Sequence, residues 1–354
     1  MKKVLAVLTI IAVAALGAPV FAANVEIYGR GHLSVDVITT DNQTPGADKN
    51  LIKVSSNSSR IGFKGSEDLG SGLKAVYQLE LGVNMDQSGS SPTLRNSYVG
   101  LSGGFGTVIL GTHDTPYKSA TGRYDVFGDT MGDYNAIIGN INGKVGFDLR
   151  PKDVIAYVSP NIGGLQVTLA TVQTGTEGNT TADPFAYSGS AVYSNGPLSA
   201  ALAYEVHRNG AFTGWDVPGD PATGTKLGLG YTLGDLKLGL VYEMLDGDDQ
   251  KQFTRDAFYV SGEMKFGDEK LKLALGQAKD TDALSDTGAT LIAAGIEHGF
   301  SKRTAIYALY AMTKNDSNAK YGLGQGGAGG NYTLPTAAVG EDPSCISIGM
   351  RFDF

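Results

Sequence analysis

The chain has 354 residues, with 36 acidic against 28 basic side chains and a formal charge of −8. That balance excludes nucleic-acid binding, which needs basic stripes to neutralise phosphates. Cys345 is the only cysteine, which rules out an intrachain disulfide framework.

At the start, Lys2 and Lys3 precede an apolar run from Val4 to Leu16, and Val20-Phe21-Ala22 supplies a small-residue cleavage signal. This predicts a secretory leader over 1–22 and a mature chain over 23–354. An N-terminal anchor is the alternative, but the run is short of the ~20 residues a helical span needs. Beyond the leader no window of ~18 consecutive apolar residues occurs, so helical spans are not expected.

The apolar residues alternate instead. From Asn24 to Val37, Val25, Ile27, Leu33, Val35 and Val37 take one face, while Glu26, Tyr28, Arg30, His32, Ser34 and Asp36 take the other. Successive strand side chains point to opposite faces, so this strand has an apolar and a polar side. Residues 38–52 read as a polar loop. A second strand follows near 58–64, then a turn over 66–72, then a strand in which Leu73, Ala75, Tyr77, Leu79 and Leu81 alternate with Lys74, Val76, Gln78 and Glu80. Residues 94–102 and 107–112 form a hairpin about Gly103-Gly104-Phe105-Gly106.

Further strands are predicted near 152–159, 164–173, 186–194, 197–206, 224–233, 235–245, 255–266, 270–279, 289–298 and 302–313. The last, near 344–354, puts Ile346, Ile348, Met350, Phe352 and Phe354 on one face and Ser347, Gly349, Arg351 and Asp353 on the other. The sum is about sixteen strands, joined alternately by short Gly/Asn/Asp turns and longer polar loops, the asymmetry of an up-and-down membrane barrel. A bilayer admits only helices or closed barrels, because every backbone polar group must be paired. The fold class expected is therefore a 16-stranded antiparallel transmembrane up-and-down β-barrel. Barrels of this size leave an aqueous channel. In it Phe352 and Phe354 form an apolar assembly edge on the closing strand, within an aromatic interfacial girdle. A secreted or surface β-sandwich adhesin is the alternative from another class.

One stretch breaks the rhythm. Between Gly111 and Arg150 there is neither sustained alternation nor a helical stripe, and an unstructured segment this long inside a compact domain points to a functional loop. The expectation is that residues from about 113 to 150 fold back into the lumen and narrow it. The loop offers Asp114, Asp125, Asp129 and Asp133. Strand parity puts Arg30, Arg60 and Lys74 on the polar face opposite them. Opposed rows of fixed charge at a constriction bias which ions pass. Lys118 and Arg123 are expected to pair locally with Asp114 and Asp125, and Tyr117, Tyr124, Phe127 and Tyr134 to pack the loop on the wall. Catalysis finds no support: His32, His113, His207 and His298 are scattered, without metal-ligand spacing. No cofactor, metal or nucleic acid is expected.

The residues also resemble a family. VEIYGRGHLSV, SSRIGFKGSEDLGSGLKAVYQLE, RNSYVGLSGGFGTVILG, DTPYKSATGRYDVFGD followed by DYN, VIAYVSPNIGGLQV, SKRTAIYALY and the final IGMRFDF are similar to the general porins of Gram-negative bacteria. The resemblance spans the mature chain in order. It implies homotrimers of sixteen-stranded barrels in the outer membrane, among lipid and lipopolysaccharide, with the third external loop folded inward. It also adds Arg95 and Arg150 to the basic wall by family position. Where a Gly-Arg pair often follows the fifth strand in that family, Gly111-Thr112 stands here. The function implied is passive diffusion of ions and small hydrophilic solutes; a solute-selective channel is the alternative within the class. Net acidity and Thr112 together lead to an expected weak cation preference.

Overall fold

The computed structural model describes residues 24–41, 49–89, 91–173, 185–211, 220–324 and 338–354; the leader expected over 1–22 lies outside them. Sixteen strands form the wall: β1 Asn24–Asp41, β2 (Lys49–Ser56 continued by Arg60–Gly70), β3 Leu73–Gly82, β4 (Thr93–Leu94 continued by Ser97–Gly103), β5 Gly106–Thr112, β6 Val154–Val158, β7 Leu165–Gln173, β8 Phe185–Asn195, β9 Leu198–Arg208, β10 Ala222–Leu233, β11 Leu236–Asp246, β12 Arg255–Phe266, β13 Glu269–Ala278, β14 Ala289–Gly299, β15 Thr304–Asn315 and β16 Asp342–Asp353. Each pairs antiparallel with its sequence neighbours, and β1 pairs with both β2 and β16. The sheet is closed. A β-sandwich, which must have edges, is thereby excluded.

The sequence places strands well and their ends less well. β1 and β2 extend into the stretch read as a loop over 38–52, with Thr40 opposite Lys49. β2 likewise continues to Gly70, leaving only Ser71-Gly72 as the turn. Polar residues there do not break the strands, because one face looks toward polar groups: Ser55 and Ser34 both donate to Asp36. Short turns use left-handed backbone where it is needed, as at Gly234 (φ 58°) between β10 and β11.

The burial pattern is inverted relative to a water-soluble protein. In β11 Leu238 and Leu240 are exposed while Val241 and Glu243 are fully buried. In β1 Val25, Ile27, Val35 and Val37 are exposed, and His32, Ser34 and Asp36 are buried. An apolar row facing outward all round is stable only against hydrocarbon. No described helix is long and apolar enough to cross a membrane; the strands do the crossing. At the closure Gly29 and Phe354 exchange N–H···O bonds of 3.0 Å. The Phe354 ring lies where a Cβ on Gly29 would be, 2.3 Å from it, and it stacks on Phe352 with ring centroids 6.2 Å apart.

Candidate channel constriction

The segment between β5 and β6 is structured. Thr115 caps helix α1 (Pro116–Thr121) by accepting from the Lys118 N–H. A 3₁₀ turn at Gly122–Tyr124, another at Tyr134–Ala136 and a two-residue hairpin, Asn140–Ile141 with Lys144–Val145, follow. Its aromatic side chains meet the wall on the face opposite the exposed apolar rows. Tyr117, Tyr124, Phe127 and Tyr134 are all buried, and the wall supplies small residues beneath them. A Cβ on Gly228 would lie 2.3 Å from the Tyr124 ring. One on Gly295 would lie 3.1 Å from that of Phe127. A large side chain at either position would exclude the ring, so these glycines set where the segment rests.

Behind α1 is a fully buried ionic cluster that sequence reading did not find. Lys226 of β10 pairs with Asp148, and Arg255 of β12 donates to Glu243 of β11 at 2.9 Å. Glu243 also accepts from the Tyr117 hydroxyl at 2.9 Å and from the Gly139 N–H at 2.9 and 3.0 Å. Arg255 reaches the Ile137 carbonyl at 2.7 Å. Buried charges of this kind persist only when paired and hydrogen-bonded. The available signal was strand parity, since all three wall residues share the inward face of their strands.

On the other side the segment meets the barrel seam. Asp129, held in a left-handed conformation (φ 61°), accepts from Arg30 at 3.2 Å and Arg60 at 3.3 Å. Arg30 also donates to Asp353 at 2.6 Å. Arg95 donates to Glu80 at 2.6 Å, and Tyr28 donates to the other Glu80 oxygen. Arg150 and Lys118 flank Asp114 at 3.1 and 3.4 Å. Burial alone would push the Asp114 carboxyl up, but Lys118, Arg150 and the Asn96 hydrogen bond hold it at about 2. Asp125 and Asp133 serve the segment's own turns. Asp125 accepts from the Phe127 and Tyr134 N–H groups and from Tyr259; Asp133 accepts from the Asn135 and Asp129 N–H groups. Burial pushes Asp125 up to about 6 and Asp133 well above the usual carboxylate range, each further raised by neighbouring carboxylates.

Arg30, Arg60, Arg95, Arg150 and all four loop aspartates line one cavity of about 610 Å³. Lys74 does not. It shares the polar-face parity but stands exposed beside the Ser71-Gly72 turn, opposite Asp68 and Ser102. Parity assigns a face, not a height along the strand. Lys118 pairs with Asp114 as expected, whereas Arg123 donates to Ser194 rather than meeting Asp125. Sequence reading also passed over Lys237, Glu263, Lys270, Lys272, Glu297 and Arg351, which complete the cavity's charged lining. A second segment joins the first: Gly324 donates to the Met131 carbonyl at 3.0 Å, Lys320 to Asn142 at 2.7 Å, and Tyr321 and Leu323 are buried.

A closed barrel with an outward apolar surface and a charged interior cavity defines a β-barrel membrane protein of the channel-forming kind. The chain belongs to the Gram-negative porins: the model of that family matches residues 5–319. Outer membrane porin protein 32 of Delftia acidovorans is 31% identical over 380 residues, covering all of both chains. Major outer membrane protein P.IA of Neisseria meningitidis serogroup A is 28% identical, over 85% of this chain and 83% of that one. Among solved structures, an anion-selective porin from Comamonas acidovorans superposes with a TM-score of 0.74 at 26% identity, covering 94% of this chain and 100% of that one. The Salmonella typhi OmpF structure, at 15% identity and a TM-score of 0.66 over 94% and 98% of the two chains, shares the fold. The protein is thus an outer-membrane porin.

Proposed function

We propose that the protein is a passive, energy-independent diffusion channel for ions and small hydrophilic solutes, narrowed by the segment over 113–150, and that it prefers anions. The carrying observation is the lining of the cavity: among the described residues it has ten Lys or Arg side chains and six Asp or Glu. The weak cation preference expected from the sequence used Thr112 and the acidic balance of the whole chain, 36 acids to 28 bases, most of which lies outside this lining. Fixed charge acts on a permeating ion over about a Debye length, ~10 Å at 0.1 M salt, so the local balance governs. Burial of Asp125 and Asp133, which favours their neutral forms, tilts it further. The anion-selective porin of Comamonas acidovorans, at 26% identity, supports the same sign. A homotrimer among outer-membrane lipid and lipopolysaccharide is the assembly we infer, in line with the trimer form described for Vibrio cholerae OmpT.

The aromatic rings of the segment are almost wholly buried against the wall while charged side chains dominate the cavity lining, which supports the general channel over the solute-selective one. The test is planar-bilayer recording of the purified protein. Ohmic steps, with a zero-current potential of anion sign in a KCl gradient, are expected. Silence would sink the channel, and a cation-sign potential would sink the preference.

A further inference from the structure

Three of the wall arginines contribute little net charge. Arg30 and Arg60 face two carboxylates, Asp129 and Asp353, and Arg95 faces Glu80. An ion passing these pairs meets dipoles rather than an uncompensated charge. The balance differs nearer the short turns. There Glu297 of β14, only 4% exposed, is approached by Lys272 at 2.8 Å, Lys270 at 2.9 Å and Arg351 at 3.4 Å. Glu263 accepts Lys237 at 3.2 Å and lies 3.8 Å from Lys272. Arg351 also lies 3.6 Å from Asp353, which it shares with Arg30. Four cations therefore meet two glutamates and part of one aspartate, and the surplus stays positive.

The strands enforce this. In β13 Leu271, Leu273 and Leu275 are exposed outward, so Lys270 and Lys272 both point into the lumen, two residues apart on one strand. Arg351 reaches them from β16, across β15 and β14. Their charged heads keep access to water, with side-chain exposures of 32% for Lys270 and 29% for Arg351. Charge held at a low-dielectric wall beside an aqueous lumen focuses its field into that lumen.

Resting on the anion-preferring reading above, we propose that Lys270, Lys272 and Arg351, gathered on Glu297, are the specificity-determining charges of the channel. They form a selectivity station on the short-turn side of the constriction. Glu297 is the positioning residue: it holds three cations in one place and cancels one of them.

The experiment compares zero-current potentials of the purified, full-length protein and three variants in a KCl gradient. In Lys270→Gln/Lys272→Gln the chloride-to-potassium permeability ratio should fall about threefold or more, the size expected for unit charges a few ångströms from the ion path under moderate screening. Glu297→Gln should move the ratio the opposite way, toward anions, a sign that a merely structural role would not produce. Lys279→Gln/Asp256→Asn, which deletes a compensated pair outside the cavity lining, should leave it unchanged. Lys270→Arg/Lys272→Arg keeps charge and should keep the parent ratio, separating lost charge from lost folding. An anion-selective parent whose ratio survives Lys270→Gln/Lys272→Gln overturns this assignment alone. A cation-selective parent overturns the functional reading as well.

Discussion

Removing the Glu243 carboxylate is the sharpest test of how the segment over 113–150 is held. Glu243 accepts four hydrogen bonds of 2.9–3.0 Å, from Tyr117, from Arg255 and twice from the Gly139 N–H. It also lies 3.8 Å from Lys226. All three charged wall residues are fully buried. Glu243→Ala leaves Lys226 and Arg255 with Asp148 as their remaining carboxylate, and leaves the Gly139 N–H and the Tyr117 hydroxyl unpaired. Breaking a buried ion pair from one side costs about 3–5 kcal/mol, which includes about 1–3 kcal/mol for a donor stranded away from water. Because the barrel wall is closed by its own backbone ladder, the loss falls on the docking of the segment. The undocked population should rise by roughly 10² to several times 10³. Single-channel recording should show larger, noisier openings, and limited trypsin digestion of the folded protein should cut at Lys118 or Arg123. Glu243→Gln keeps the shape and an acceptor, so it should fall between. An alanine variant with parental conductance and parental protease resistance would show that the cluster does not hold the segment.

Three further outcomes follow from the same geometry. Gly228→Val puts branched carbon where the Tyr124 ring now lies within 2.3 Å of an added Cβ; the ring must move, and single-channel conductance should change while heat-modified mobility of the folded barrel on gels persists. Asp129→Asn uncovers Arg30 and Arg60, which both point at it, so the zero-current potential should shift further toward anions. Asp125 is raised from 3.8 to about 6 by burial, so the folded state binds its proton more tightly than the unfolded state does. Stability of the docked segment should therefore fall as pH rises from about 4 to about 6 and level off above. Anion preference should strengthen as pH drops through about 6, and Asp125→Asn should abolish that step in potential-against-pH curves.

Much of this was legible beforehand because a membrane wall imposes a two-residue period. Leu238 to Met244 alternates in the sequence and alternates in exposure, and the closing strand that ends on Phe352 and Phe354 pairs with β1 through Arg30 and Asp353. The strand ends were less legible. Residues 38–41 and 49–52 read as part of a polar loop, yet both stretches are paired, because an inward face tolerates Asp, Ser and Asn as readily as a loop does. Lys74 shows the same limit from another side: parity assigns it a face, but its height along the strand comes only from register.

What the sequence alone determined is the periodicity, and with it a closed wall that is apolar outside and polar within. It also marked the one segment that could not belong to that wall. Tertiary structure decided which charges remain uncompensated. Arg30, Arg60 and Arg95 are met by Asp129, Asp353 and Glu80, while Lys270, Lys272 and Arg351 gather on Glu297 with only Glu263 and a shared Asp353 beside it. These partners lie on different strands or far along the chain, so Coulomb's law acts on distances that no local pattern encodes.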